Sequence, residues 1–228
     1  EPQRTNVLRY SELLTDASWT KTRATVAEFS ALNPKNELTS FKIFDSTDNG
    51  THLVFRAVST VLNEVNVFSC FLKKGSLNFG TLAFQSTVDT TTVFDLNNGT
   101  VSAQGASIIN STIALLQNGW YRCTISFLGD GNALFFRIGT SNGNFSYAGT
   151  GTDFIEFFGS QGEVGAAATS YIPTVAASVT RNADTITLSP PSGTVKITTT
   201  FSDNTTQVLT TIPATYAMPE GLIKSVNF

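Results

Sequence analysis

Short runs in which apolar and polar residues alternate, separated by clusters of Gly, Asn, Asp and Ser, extend along the chain, and no stretch carries a convincing helical period. Alternation of this kind sends successive side chains to opposite faces of a strand. It predicts strands at 6–9, 21–29, 38–44, 52–58, 65–73, 78–85, 91–96, 101–116, 118–127, 133–140, 153–158 and 179–188. Segment 65–73 is apolar on both faces, as a central strand should be. Residues 11–18 read as a turn or a single helical turn, and 45–50, 97–99, 117–119 and 130–131 as turns. Residues 32–37, 141–151 and 159–169 read as loops. The clearest strand is 118–127, where Tyr121, Cys123, Ile125 and Phe127 form one face and Trp120, Arg122, Thr124 and Ser126 the other. The first set is a core face. The second carries a large aromatic and a cation, which is unusual for a face that meets only water.

Strands recurring about every ten residues, with turn chemistry between them, predict an all-β chain folded as an antiparallel sandwich or barrel. A break follows at Pro190-Pro191-Ser192-Gly193, after which 194–201, 207–212 and 222–228 are short strand candidates. The expected organisation is a main domain at 1–188 and a C-terminal β appendage at 189–228. An appendage this small cannot bury a core of its own and is expected to pack on the main domain or on neighbouring chains.

Composition sharpens this. Only 14% of the 228 residues are charged, against roughly a quarter in an average soluble domain. Phe occurs 18 times, enough aromatic bulk for a β-type core. The net charge of −3, with Lys and Arg scattered singly, argues against nucleic acid and against an anionic membrane surface. No apolar run approaches the roughly 18 residues of a membrane-spanning segment, so no membrane insertion is expected. A chain that opens at Glu1 without Met or a signal-peptide pattern is expected to be a processed product or a fragment. Cys70 and Cys123 fall mid-strand on apolar faces and fit either two buried thiols or an inter-strand disulfide. With one histidine, His52, they fall short of the usual zinc ligand set.

Several segments resemble a known family. Asn6-Val7-Leu8, Tyr10-Ser11-Glu12 and Trp19-Thr20-Lys21 are similar to the opening of the carbohydrate-binding-module-like jelly-roll domains of bacteriophage structural proteins. So are Phe94-Asp95-Leu96-Asn97-Asn98-Gly99-Thr100-Val101 and Asn118-Gly119-Trp120-Tyr121-Arg122-Cys123. The run from Ala168-Thr169-Ser170-Tyr171-Ile172-Pro173-Thr174 to Thr180-Arg181-Asn182-Ala183-Asp184 matches in turn. Residues 200–207 and 219–224 resemble the short β appendix that follows such domains. The resemblance implies a jelly roll related to xylan- and glucan-binding modules, carried on a tail fibre, spike or head fibre at the virion surface. It implies host attachment through a surface glycan, contacts with other virion subunits, and a homotrimer. The chain departs from the pattern at Phe158-Gly159-Ser160-Gln161-Gly162-Glu163, where relatives often carry Trp-Gly-Ala-Gln-Leu-Glu, and at Leu14, where they carry Phe. A Glu that helps hold a structural calcium in cellulosomal relatives is replaced by Thr15, followed by Asp16.

Sugar recognition needs flat aromatic faces for C–H-rich ring sides and a few fixed polar groups for hydroxyls. If 118–127, 133–140 and 153–158 share one sheet face, Trp120, Arg122, Arg137, Glu156 and Phe158 converge on it, with Phe135 and Phe154 at hand. The competing reading of the same residues is an Arg–Glu surface pair beside aromatics packed under a loop. Tyr147 and Phe145, in the loop 141–151, form a second candidate contact set. An enzyme is not expected. Asp153, Glu156 and Glu163 do not suggest the facing carboxylate pair of a glycosidase. No cofactor is expected beyond a structural Ca²⁺, for which Asp45, Asp48 or Asp184 could supply oxygen, although Asp45 and Asp48 also fit turn chemistry.

Overall fold

The structure, a computed structural model, describes residues 1–29, 31–85, 88–184, 187–201, 204–218 and 223–228. Parts of the sequence expectations lie outside the described residues: 185–186 of the strand 179–188, and 202–203 and 219–222 of the appendix motif. Residue 222 also opens the expected strand 222–228. The chain divides into two units, one formed by Thr5–Val179 and the other by Glu1–Arg4 with Thr180–Phe228.

The larger unit is a sandwich of two six-stranded antiparallel sheets. Its strands are β1 (Thr20–Thr22), β2 (Ala24–Phe29), β3 (Ser40–Asp45), β4 (Leu53–Ser59), β5 (Val65–Lys74) and β6 (Phe79–Phe84). They continue with β7 (Thr91–Asp95), β8 (Thr100–Gln104), β9 (Asn110–Leu115), β10 (Tyr121–Leu128), β11 (Ala133–Ser141) and β12 (Phe154–Val164). One sheet runs β8-β7-β6-β11-β4-β1 and the other β9-β10-β5-β12-β3-β2. The pairs β3/β12, β4/β11, β5/β10 and β6/β7 fall alternately in the second and first sheets, as when a long hairpin is wound around a barrel. That is jelly-roll connectivity.

Side-chain alternation places the core between the sheets. Phe68 and Cys70 on β5, Cys123, Ile125 and Phe127 on β10, Phe136 and Ile138 on β11, and Ile155 and Phe157 on β12 point inward and are buried. The Phe68 ring meets Phe127 and Phe136 edge-on at 4.9 and 4.8 Å, and Phe84 stacks on Phe127 at 3.9 Å. Full burial of each such ring contributes about 1.5–3 kcal/mol.

Several boundaries differ from the sequence reading: the expected strand 6–9 lies at Arg4–Asn6, 118–127 begins at Tyr121, and of 179–188 only Val179–Arg181 and Thr187–Leu188 are strand among the described residues. Three further differences change which sheet or face a residue joins. The run 21–29 is broken at Arg23, whose φ of 47° turns the chain from β1 in one sheet to β2 in the other. The run 101–116 is likewise two strands, β8 and β9, in opposite sheets. In contrast, 153–158 continues to Val164, although 159–164 reads as loop by composition. A bulge between Phe158 and Ser160 absorbs one residue, and pairing with β5 resumes beyond it. Gly159 makes the bulge with φ 54°, where a Cβ would lie 2.8 Å from the Tyr171 ring. The bulge also reverses parity, so Glu156 and Phe158 before it and Gln161 and Glu163 after it all face outward.

In the smaller unit, β13 (Ile197–Phe201) lies between β14 (Thr206–Leu209) and β15 (Ile223–Asn227), and Thr187–Leu188 pairs with Tyr216–Ala217. Its interior centres on Ile197, Thr199 and Tyr216, with the Thr199 and Tyr216 hydroxyls 2.6 Å apart.

Candidate functional site

The outward face of the second sheet carries four of the sequence-predicted residues, but not as an open platform. Trp120 precedes β10, just after a 3₁₀ turn in which Asn118 and Gly119 take positive φ values of 59° and 75°. Its indole is fully buried against Phe71 and Phe158, with Tyr171 packed on the same cluster. Its Nε1 donates to the Leu32 carbonyl at 2.8 Å. Tyr171 closes over Phe71 at 5.4 Å and Phe158 at 5.9 Å, and its hydroxyl donates to Ser11 Oγ at 2.8 Å. Burial pushes the Tyr171 phenol well above its ordinary pKa. Of the two readings of these residues, the structure shows aromatics packed under a loop and not an open platform: Tyr171 and the 32–36 segment cover Trp120 and Phe158. Glu156 sits directly across from Lys42 on β3 and Lys73 on β5, and its Oε2 lies 3.5 Å from Lys73 Nζ. It is an ion-pair partner, held beside the covered rings.

Arg122 is the member of the set that reaches an opening. Its guanidinium lies 5.6 Å from the Phe71 ring centroid, and one terminal nitrogen donates to Ser69 Oγ at 3.1 Å. The aromatic cluster thus acts as a support beneath this cation. Beside it a groove of about 190 Å³ is floored by Asn110, Thr112 and Ala114 of β9 and Arg122, Thr124 and Ser126 of β10, and walled by Ala166–Ala168.

The wall is held from beneath. Glu163 is buried and accepts from the backbone N–H of Thr169 at 3.0 Å and from its hydroxyl at 2.5 Å. Gln161 accepts from the Ile172 N–H at 2.6 Å and donates to the Thr169 and Ser170 carbonyls. Composition assigns these two side chains to a loop, and it is the bulge in β12 that places them under the wall. Thr124 and Ser126 belong to the outer face read from 118–127, and period-2 parity on 101–116 extends the same face to Asn110 and Thr112, their partners in register. Together they offer hydroxyls and an amide that both donate and accept, around one guanidinium that only donates. Arg122 is the one charged residue of the lining.

Arg137 does not join this face. It lies on β11, in the first sheet, where it pairs with Phe55 of β4 and Ala83 of β6. The shared-face assumption fails because jelly-roll winding puts β10 and β11 in different sheets. Tyr147 is not a loop-tip residue either. It is buried, its ring is 4.5 Å from that of His52, and its hydroxyl donates to Asp45 Oδ2 at 3.3 Å while sitting 2.8 Å from Thr140 Oγ1. Burial pushes its phenol far above the ordinary value. The loop 141–151 folds back, because Asp45 also accepts from the Thr150 and Gly151 N–H groups at 3.1 and 2.9 Å. Phe145 stays partly exposed.

Asp48 accepts from Ser46 Oγ, and Asp184 pairs with the N-terminal amine at 2.7 Å. Among the described residues no three His, Cys, Asp or Glu side chains gather as a metal site. His52 is buried with Nδ1 2.7 Å from the Arg23 carbonyl and Nε2 3.2 Å from that of Tyr147. Cys70 and Cys123 are free thiols directly opposite each other on β5 and β10. Burial raises both thiol pKa values well above normal. Neither is expected to react with a thiol reagent in the folded protein, while both react after denaturation. Rapid labelling of the native protein, followed by mass spectrometry, would contradict this.

No family model and no curated protein matches the chain. Among solved structures it is similar to the xylan-binding CBM22-1 domain of Xyn10C from Paenibacillus barcinonensis, with 13% identity and a TM-score of 0.40 over 72% of this chain and 94% of that one. It is also similar to a protein from Bacteroides thetaiotaomicron described as sugar-binding, with 9% identity and a TM-score of 0.38 over 70% of this chain and 95% of that one.

Proposed function

We propose that the Thr5–Val179 unit is a non-enzymatic glycan-recognition module whose ligand occupies the Arg122 groove. The observation that carries this reading is the lining itself, with Asn110, Thr112, Arg122, Thr124 and Ser126 side by side on two adjacent strands and small alanines opposite. Such a surface exchanges many hydrogen bonds with a hydroxyl-rich ligand, and its volume suits one or two sugar rings better than a large cofactor. The rigid sheet fixes the polar groups in advance, which lowers the cost of binding. The wider setting rests on the sequence motifs: a bacteriophage virion surface protein that attaches to host polysaccharide, assembled with other virion subunits as a homotrimer.

Screening soluble polysaccharides by glycan array and calorimetry tests the reading. Arg122→Gln is expected to weaken the best ligand about tenfold or more, as loss of a charge-assisted hydrogen bond does, with little change in thermal midpoint. The second reading is a structural assembly module with no sugar ligand. It is favoured by the closed aromatic cluster, which leaves Trp120 and Phe158 no surface to offer a sugar. Absence of binding to every glycan, together with a stable trimer by light scattering, is the result that selects it.

A further inference from the structure

Arg137 poses a separate chemical question. It occupies the middle of a row that crosses five strands in register, Thr20, Phe55, Arg137, Ala83 and Thr91, on the outward face of the first sheet. Its guanidinium carbon is 5.4 Å from the Phe55 ring centroid and 5.7 Å from that of Phe135, and the two rings meet edge-to-face at 5.2 Å. Phe135 keeps 38% of its surface exposed. No described carboxylate lies within ion-pair distance of Arg137. Its Nε is buried without a hydrogen-bond partner. Burial lowers the guanidinium pKa, and no charged neighbour offsets it.

A partly desolvated cation is costly unless it is paired. Other buried or half-buried cations have polar partners: Lys73 ion-pairs with Glu156 and Arg181 with Glu1, while Arg56 donates to the Arg9 carbonyl and Ser18 Oγ and Arg122 to Ser69 Oγ. At Arg137 the row on either side is neutral, so a counter-charge has to come from outside. The guanidinium fork matches a flat or tetrahedral oxyanion in bidentate fashion. The half-exposed Phe135 ring beside it offers an apolar contact for the C–H side of a sugar. We infer that Arg137, Phe55 and Phe135 form a second ligand site, specific for the carboxylate or sulfate groups of an acidic polysaccharide. It lies on the opposite outer face of the sandwich from the Arg122 groove and does not depend on the ligand assigned there. One chain of glycan cannot fill both sites on a single sandwich without wrapping its edge, so the two faces would bridge separate strands of a polymer.

Affinity electrophoresis and calorimetry on the full chain at low ionic strength test the inference, with polygalacturonate, dextran sulfate and neutral dextran as probes. The expected result is retention by at least one acidic polymer and none by dextran through this site. Arg137→Gln should weaken acidic-polymer binding about tenfold or more, and Arg137→Lys nearly as much because the fork is lost. Arg122→Gln should leave that Arg137-dependent part unchanged. Which acidic polymer is retained tells carboxylate from sulfate recognition. Since the substitution removes an unpaired charge, Arg137→Gln should keep or raise the thermal midpoint, which separates lost binding from lost folding. Equal retention of wild type and Arg137→Gln, or no retention of either acidic polymer by the wild type, overturns the inference. Loss of glycan binding only in Arg122→Gln would leave the groove reading standing while this one falls.

Discussion

Trp120→Ala is expected to destabilise the sandwich by about 3–5 kcal/mol, the usual cost of truncating a fully buried large aromatic. The indole has no exposed surface, fills the cluster with Phe71 and Phe158, and satisfies the Leu32 carbonyl through a 2.8 Å hydrogen bond. Truncation leaves a cavity under Tyr171 and an unpaired carbonyl beside it. Trp120→Phe should cost less, about 1–3 kcal/mol, because a ring remains and chiefly the donor is lost. Urea denaturation with an unchanged m-value is the measurement. A ligand platform would behave in the opposite way, with binding lost and the denaturation midpoint held. A midpoint for Trp120→Ala within experimental error of wild type would sink the covered-cluster description. Because Phe71 also lies beneath the Arg122 guanidinium, any weakening of groove binding in this variant should track the loss of order in the cluster.

The inward faces were readable from alternation because the inside–outside choice is a local, period-2 property. Cys123, Ile125 and Phe127 needed only their own strand to be assigned to the core. Sheet membership is not local. Whether Arg137 stands beside Arg122 or on the far side of the molecule depends on the winding of the whole chain, and nothing in 118–140 encodes it. Backbone exceptions hid the rest. Arg23 carries a positive φ without being Gly, Asn or Asp, so the turn from β1 to β2 had no compositional signal. Gly159 had the signal of a loop but makes a bulge inside a long strand. Trp120 stands on the outer side with Arg122, as parity places it; what parity cannot show is that Tyr171 and the 32–36 segment, distant in sequence, cover it. Tyr147 was misassigned because a loop rich in Gly, Asn and Ser can still fold onto a buried carboxylate, here Asp45. The motif resemblance located Asn6 and Tyr171 but gave no reason for them, and the hydrogen bonds supply it.

Asn6→Asp is expected to be the most severe of the near-isosteric changes. Asn6 is fully buried, and its amide uses every hydrogen-bonding position: Nδ2 donates to the Ser160 and Ile172 carbonyls at 3.0 and 2.8 Å, and Oδ1 accepts from the Leu8 and Gly162 N–H groups at 3.0 Å each. The introduced carboxyl keeps the shape but turns an oxygen toward two carbonyls. Two hydrogen bonds are lost, two lone pairs meet two others, and a charge is buried, a cost on the order of 4 kcal/mol at neutral pH. Burial and the facing carbonyls raise the pKa of this carboxyl in the folded state above its unfolded value near 3.9. The folded protein then binds more protons than the unfolded chain, so stability falls as pH rises from the unfolded pKa toward the folded one, by up to about 1.4 kcal/mol per pH unit. The deficit relative to wild type should therefore shrink between pH 7 and pH 5, where a protonated carboxyl regains one donor. Asn6→Ala, with no titrating group, should show a deficit that does not change over that range. Denaturation curves of the three proteins at both pH values decide the matter, and a pH-independent deficit for Asn6→Asp would contradict the assigned amide orientation. The consequence reaches the groove. Asn6 ties β12 to the segment at Ile172, the same segment that Gln161 holds beside the Ala166–Ala168 wall, so loosening this one amide should widen the groove before it unfolds the sandwich.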